Sequence, residues 1–180
     1  MPLSCWCYLL ACFTGVIGLV SFVAPGPAAK VFAAFPRNRW AGYVLSAVAW
    51  AWSAYAVSKM GLDFLEPYKK FVPFIALVCI PLTWWALDNL LPCRAWGGIL
   101  CLFPYGLLHA TRLNDSPWRL VVVVFAYLCI IKGMILILYP WKERQLIAYV
   151  TATPARFRGF ALSNLVLGVV FAVLGATVLK

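Results

Sequence analysis

Long apolar runs separated by short polar or basic segments make up almost the whole chain. About 20 consecutive apolar residues are enough to cross the hydrocarbon core of a bilayer as a helix. The pattern predicts six membrane-spanning helices, at residues 4–24, 40–57, 71–87, 95–111, 118–139 and 160–179. The fourth span is short and contains Pro104, so a kink or an incomplete crossing is expected there.

The composition agrees with a chain that is solvated mainly by lipid. Hydrophobic residues make up 65% of the chain and charged residues 11%, whereas soluble domains carry about 45–50% and about 25%. The net charge of +10 comes mostly from Lys and Arg between apolar runs, with no basic run or soluble domain that would bind nucleic acid. We therefore predict an all-α polytopic membrane protein with one transmembrane domain, residues 1–180.

Basic residues divide unevenly between the two sides that six spans would create. The connections after the first, third and fifth spans hold eight Lys or Arg, and the other side holds six. Cytoplasmic loops collect Lys and Arg. This distribution predicts cytoplasmic Arg loops and places both termini outside.

A short motif precedes every even-numbered span: "PRNRWAG" at 36–42, "PCRAWG" at 92–97 and "PARFRG" at 154–159. Proline is favoured at helix starts, Arg side chains meet lipid phosphates in the headgroup layer, and Gly lets a neighbouring helix approach closely. The basic hinge residues are Arg37, Arg39, Arg94, Arg156 and Arg158. The recurring Arg-x-x-Gly spacing predicts three tandem two-helix units, roughly 4–58, 71–112 and 118–180.

The first and third units share a further spacing. Gly18 lies seven residues before Pro25, Gly133 lies seven before Pro140, and a basic amphipathic linker follows each proline. A helix ending at Pro, a basic linker and an Arg-x-x-Gly helix start resemble the YjeT-like family of small two-helix bacterial membrane proteins. The matching stretches are 15–53 and 132–179, with a degenerate middle copy. The resemblance implies a bacterial inner-membrane location and no chemistry, because the function of that family is unknown.

Three polar residues in or beside predicted spans are candidates for function: Lys132, Asp88 and Asn164. A Lys near the bilayer centre costs about 2.5–3.5 kcal/mol. Lys132 therefore either pairs with an acid such as Asp88, extends its ammonium to the headgroups, or takes part in transport. Asp88 can also pair with Arg94, and Asn164 can donate a hydrogen bond across a helix contact.

His109 is the only histidine, near the end of the fourth span. It would be the axial ligand if the chain contacted haem or chlorophyll, although an interfacial position explains it equally well. No cofactor and no metal site are predicted. Small residues indicate faces for close helix packing, namely Gly42, Ser46, Gly97, Gly159, Gly168 and Ala172.

Known enzyme signatures are absent from the sequence: it has no paired intramembrane carboxylates, no phosphate-binding loop and no Ser/His/Asp set. We expect a non-enzymatic accessory or assembly subunit of a larger membrane complex, with lipid and other integral membrane subunits as partners. One alternative is a small carrier or channel that uses Lys132 and Asp88. Another is a lipid- or cofactor-contacting subunit of an electron-transfer or light-harvesting complex.

Overall fold

The structure is a computed structural model that describes residues 3–61, 63–87, 90–114 and 116–177, with the side chains of 63–65 excluded. Within these ranges all regular structure is helical, which confirms the predicted all-α class. The α-helices are α1 Leu3–Val23, α2 Pro25–Ala34, α3 Arg39–Lys59, α4 Val72–Ala86, α5 Leu91–Arg112, α6 Arg119–Leu138, α7 Pro140–Thr151 and α8 Pro154–Thr177. Short 3-10 helices cover Phe35–Arg37 and Asp63–Phe71.

Five of the described helical segments are long and apolar enough to cross a membrane, where the sequence pattern predicted six spans. They are Leu3–Val23, Glu66–Ala86, Leu91–Arg112, Arg119–Leu138 and Pro154–Thr177. The remaining predicted span lies in α3, which has the 21 residues of a crossing helix but contains three Trp, two Tyr and three Ser. These residues make α3 less apolar, so it is not among the candidate spans. By length and composition, the described helices of this membrane protein include five candidate spans.

Helix α5 is longer than the sequence suggested. It runs without interruption through 22 residues, and Pro104 is buried within it. The predicted fourth span, residues 95–111, therefore lies wholly inside α5, which also includes Arg94 in its first turn. Similarly, α8 begins at Pro154, six residues before the predicted sixth span, so Arg156 and Arg158 belong to the helix itself.

Two spans end at a proline with nearly the same backbone geometry. Ala24, before Pro25, has φ −125° and ψ 66°, and Tyr139, before Pro140, has φ −127° and ψ 62°. Proline disfavours the α conformation in the residue before it. The N–H of each preceding residue still donates to a carbonyl four residues back, at 3.0 Å for Ala24 and 2.7 Å for Tyr139. The chain thus leaves α1 and α6 in the same way and enters the short helices α2 and α7.

The main packing partners are not the helices of one predicted unit. Helix α1 packs along α8, α5 packs along α6, and α3 packs against both α4 and α5. Within the described residues the two helices of each predicted unit form no extended interface, neither α1 with α3, nor α4 with α5, nor α6 with α8. Linkers of 10 and 12 helical residues explain this for the outer units, because about 15–18 Å of helix exceeds the 8–10 Å between packed axes.

The hydrophobic core lies at one end of the bundle. It joins the start of α1, the end of α5, the start of α6 and the end of α8, with members Leu3, Cys7, Leu10, Leu107, Ala110, Val122, Ala126, Phe171 and Leu174. The opposite end, which we call the linker end, holds α2, α7, the 3-10 turn Phe35–Arg37 and the starts of α5 and α8. There the ring of Phe32 meets those of Phe157 and Phe160 at 6.1 and 5.6 Å.

Candidate functional site

Lys132 forms an ion pair with an acid that the sequence analysis did not consider. Its Nζ lies 3.7 Å from Oε1 of Glu143, and the two side chains are 51% and 14% exposed. Glu143 stands in the first turn of α7, where the turn at Pro140 folds the chain back beside α6. The sequence does show a Lys, then Pro140, then Glu143. Whether the Lys and the Glu meet depends on the angle of the turn at Pro140, which the sequence does not give. Asp88, the predicted partner, lies outside the described residues, as does Asn89.

The remaining polar candidates are not brought together with Lys132. Asn164 donates from Nδ2 to the carbonyl of Phe160 at 2.9 Å, within its own helix, so its amide is used locally. His109 is exposed in the last turn of α5. Over the described ranges no group of three His, Cys, Asp or Glu side chains could hold a metal ion.

Close helix contacts involve most of the predicted small residues. Gly97 of α5 and Gly133 of α6 face each other: a Cβ added to either would lie 2.8 or 2.7 Å from the carbonyl oxygen of the other. A Cβ on Gly168 would lie 3.1 Å from the backbone N of Gly15, where α8 crosses α1. These crossings let backbones touch, which is how helices associate when lipid offers no hydrophobic drive.

Some of the other predicted small residues contact a neighbouring helix, and others do not. A Cβ on Gly42 would lie 3.1 Å from Cδ of Pro92, so α3 meets the start of α5 there, while Ala172 is half-buried in α8. Gly159 is exposed and nothing lies within 4 Å of an added Cβ. Gly159 therefore makes no close helix contact within the described part of the chain, because α8 meets α1 further along its length.

Basic hinge residues gather at the linker end. Arg37 ends the first 3-10 turn and, with Arg144 of α7, lines a cleft of about 470 Å³. The Arg156 guanidinium lies 4.1 Å from the ring centroid of Tyr149, a cation–π contact between α8 and α7. Arg39 and Arg158 stand in the first turns of α3 and α8.

Arg94 has a different environment from the other hinge arginines. It lines a groove of about 320 Å³ between α3, α4 and α5. Its Nε is buried and has no hydrogen-bond acceptor among the residues that the structure describes. A buried donor left unpaired costs about 1–3 kcal/mol. Arg94 is thus a charged group whose hydrogen-bonding capacity is not used up by the described part of the chain.

The wall of this groove contains a cross-helix hydrogen bond that the sequence did not reveal. Nε1 of Trp84 in α4 donates to Oγ of Ser46 in α3 at 2.8 Å, and that Oγ donates to the carbonyl of Tyr43 at 3.0 Å. Ser46 was expected only as a small packing residue. No spacing in the sequence links it to Trp84, because the two positions are 38 residues apart.

Comparison with protein-family models, with curated proteins and with solved structures gives no match for this chain.

Proposed function

We propose that this chain is a non-enzymatic accessory or assembly subunit that presents helix α4 to a larger membrane protein. The observation that carries the proposal is the isolation of α4. Of the 18 most apolar consecutive residues in Glu66–Ala86, only 6% are buried, compared with 22–39% of the corresponding residues in the other four candidate spans. Among the α-helices, α4 packs chiefly on α3.

The free face of α4 is continuous. Ala76 and Thr83 lie on the side of α4 that meets α3, and a row of large apolar residues lies on the opposite side. Phe74 is 65% exposed, Leu77 67% and Trp85 84%. Their spacing of three and eight residues gives one helix face that another transmembrane helix can cover.

Pro81 favours a protein over lipid as the cover for this face. It lies inside α4 and is exposed. Because proline has no N–H, the carbonyl of Leu77 loses its usual α-helical donor. Lipid tails cannot donate a hydrogen bond, and such freed groups in membranes are normally satisfied by neighbouring helices or polar side chains. A partner helix with a hydrogen-bond donor fits this position.

The arrangement of helix pairs supports three tandem units, with α3 as a sixth span. The first helix of each unit pairs with the second helix of another: α1 with α8, α6 with α5, and α4 with α3. These pairings close a cycle of three, and Ala24 and Tyr139 share one break geometry. We infer an origin from a two-helix ancestor of the YjeT-like kind in a bacterial inner membrane, with the linker end in the cytoplasm.

Site-specific photocrosslinking in membranes tests the subunit proposal. A benzoylphenylalanine at Leu77 or Trp85 should give one discrete heteromeric adduct that also migrates with the chain on a native gel. The matched control is Val169 of α8, which is 61% exposed and should give none. An adduct of twice the chain mass would replace the proposal with self-association, and lipid adducts alone at all three positions would overturn it.

A further inference from the structure

The groove beside Arg94 has walls from α3, α4 and α5, is also lined by Ile137 of α6, and runs along the bundle from the linker end. Its lining includes Ser46, Trp50 and Ser53 of α3, Thr83 of α4, and Gly98 and Leu102 of α5. The α5 wall extends over the twelve residues from Leu91 to Leu102, whose first and last members are about 16 Å apart along the helix. The groove is therefore elongated and mainly apolar.

Some polar groups of the groove already have hydrogen-bond partners within the chain, and Arg94 has an unused donor. Ser46 is bonded to Trp84 and Tyr43, and the Thr83 hydroxyl donates to the carbonyl of Ile80 at 2.7 Å. Arg94 stands at the linker end of the groove, and its buried Nε meets no acceptor in the described part of the chain. One end of an apolar channel thus offers a positive charge with a free donor.

We propose that this groove binds an anionic amphiphile, with a carboxylate or phosphate headgroup on Arg94 and one acyl chain along α3 and α5. An arginine pairs with either headgroup through charge-assisted hydrogen bonds. The groove volume of about 320 Å³ equals roughly ten water volumes. That is room for part of one acyl chain, so the second chain of a phospholipid would lie in the surrounding bilayer.

Binding can be measured by native mass spectrometry of the whole chain, delipidated in a neutral detergent. The probes are oleate, dioleoyl phosphatidylglycerol, dioleoyl phosphatidylcholine and inorganic phosphate. We expect one saturable adduct with oleate, phosphatidylglycerol or both, and at least about tenfold weaker binding of phosphatidylcholine and phosphate, because each lacks either the net charge or the chain. Comparing oleate with phosphatidylglycerol identifies the headgroup.

Two variants separate the two ends of the groove. Arg94→Gln removes the charge and should weaken the adduct about tenfold. Ser53→Leu fills the far end and should weaken oleate binding while sparing decanoate. Arg158→Gln changes an exposed arginine in the first turns of α8 and should bind like the parent. Size-exclusion chromatography checks that each variant is folded.

Equal binding of phosphatidylcholine and phosphatidylglycerol would overturn the proposal, and so would phosphate binding as tight as that of the amphiphiles. Unchanged affinity for the amphiphile in folded Arg94→Gln protein would also overturn the proposal. If Arg94→Gln does not fold, the decision falls to Ser53→Leu: loss of oleate with retention of decanoate supports the groove, and equal retention of both refutes it.

Discussion

Individual glycines determine how closely the helices of this bundle approach. Gly97 and Gly133 bring α5 and α6 to backbone contact, and Gly18 does the same for α1, since a Cβ there would lie 2.8 Å from the backbone N of Leu165. Apolar side chains gain little by leaving lipid for protein, so contact area and close packing supply the stability. A single added methyl group at such a crossing must move a backbone.

Gly133→Ala should therefore destabilise the bundle by about 1–3 kcal/mol, the usual range for overpacking. The new Cβ would lie 2.6 Å from Sγ of Cys101 and 2.7 Å from the carbonyl oxygen of Gly97. Unfolding by SDS titration in maltoside micelles measures the change. Gly159→Ala is the control: that site is open, so alanine should be neutral or add about 0.5–1 kcal/mol of stability. Equal effects of the two substitutions would contradict the crossing.

The pair formed by Lys132 and Glu143 is expected to contribute little. At 3.7 Å and with Lys132 half exposed, it is an ion pair rather than a close hydrogen bond. We expect the long Lys132 side chain to place its exposed ammonium in the water at the linker end, so Lys132→Met should change the unfolding free energy by less than about 1 kcal/mol. Lys30→Met, at an exposed position in α2, serves as the control. A loss of about 3 kcal/mol or more at Lys132 alone would instead indicate a buried pair.

At the scale of elements, the sequence predicted where helices break but not which helices meet. Prolines 25, 140 and 154 mark boundaries because each lacks an N–H and restricts the preceding residue, a purely local effect. The pairing of helices, in contrast, is not determined by such local effects. A membrane helix is apolar on all sides, as in α6, where exposed Val124 and buried Val122 have the same chemistry. Apolar periodicity then carries no signal of the packed face.

Helix α4 is joined to α3 by a side-chain hydrogen bond, and little of its surface is buried otherwise. Ser46→Ala removes the acceptor for Nε1 of Trp84, a loss of about 0.5–1.5 kcal/mol. Amide hydrogen exchange in α4 should rise about two- to tenfold, while exchange in α1 and α8 stays constant. Ser58→Ala is the control, because that exposed hydroxyl donates to Tyr55 of its own helix. Unchanged exchange in α4 would mean that apolar contacts alone hold it.

For the whole molecule, tertiary placement created the candidate site. The sequence indicated Arg94 as one of five equivalent hinge residues. Only the packing of α3 against both α4 and α5 distinguishes it, by enclosing its Nε beside an apolar groove. The linker end could be predicted as a basic zone, because the Pro/Arg/Gly motifs recur along the chain. The difference between an enclosed arginine and exposed ones could not, since it depends on how residues of α3 and α4 come to lie beside the start of α5.

The whole-molecule arrangement also determines which loops share a side of the membrane, and α3 is the predicted span that is not among the five candidate spans. If α3 crosses, Arg37, which lies two residues before its start, and Lys59 at its end lie on opposite sides. Single cysteines at Arg37, Lys59 and Arg158, in a chain whose seven native cysteines are replaced, can be labelled with an impermeant maleimide. In intact bacterial cells with a permeabilised outer membrane, we expect labelling at position 59 only.

After lysis, positions 37 and 158 should react as well, because both lie at the linker end, where the 3-10 turn and α7 contact α5. Equal labelling of 37 and 59 from the same side would show that α3 does not cross and reduce the spans to five. Labelling of 37 and 158 from outside, with 59 protected, would retain six spans and reverse the orientation. Because α3 joins α4 to the rest of the bundle, its crossing also decides whether the free face of α4 lies within the bilayer, where a partner helix can reach it.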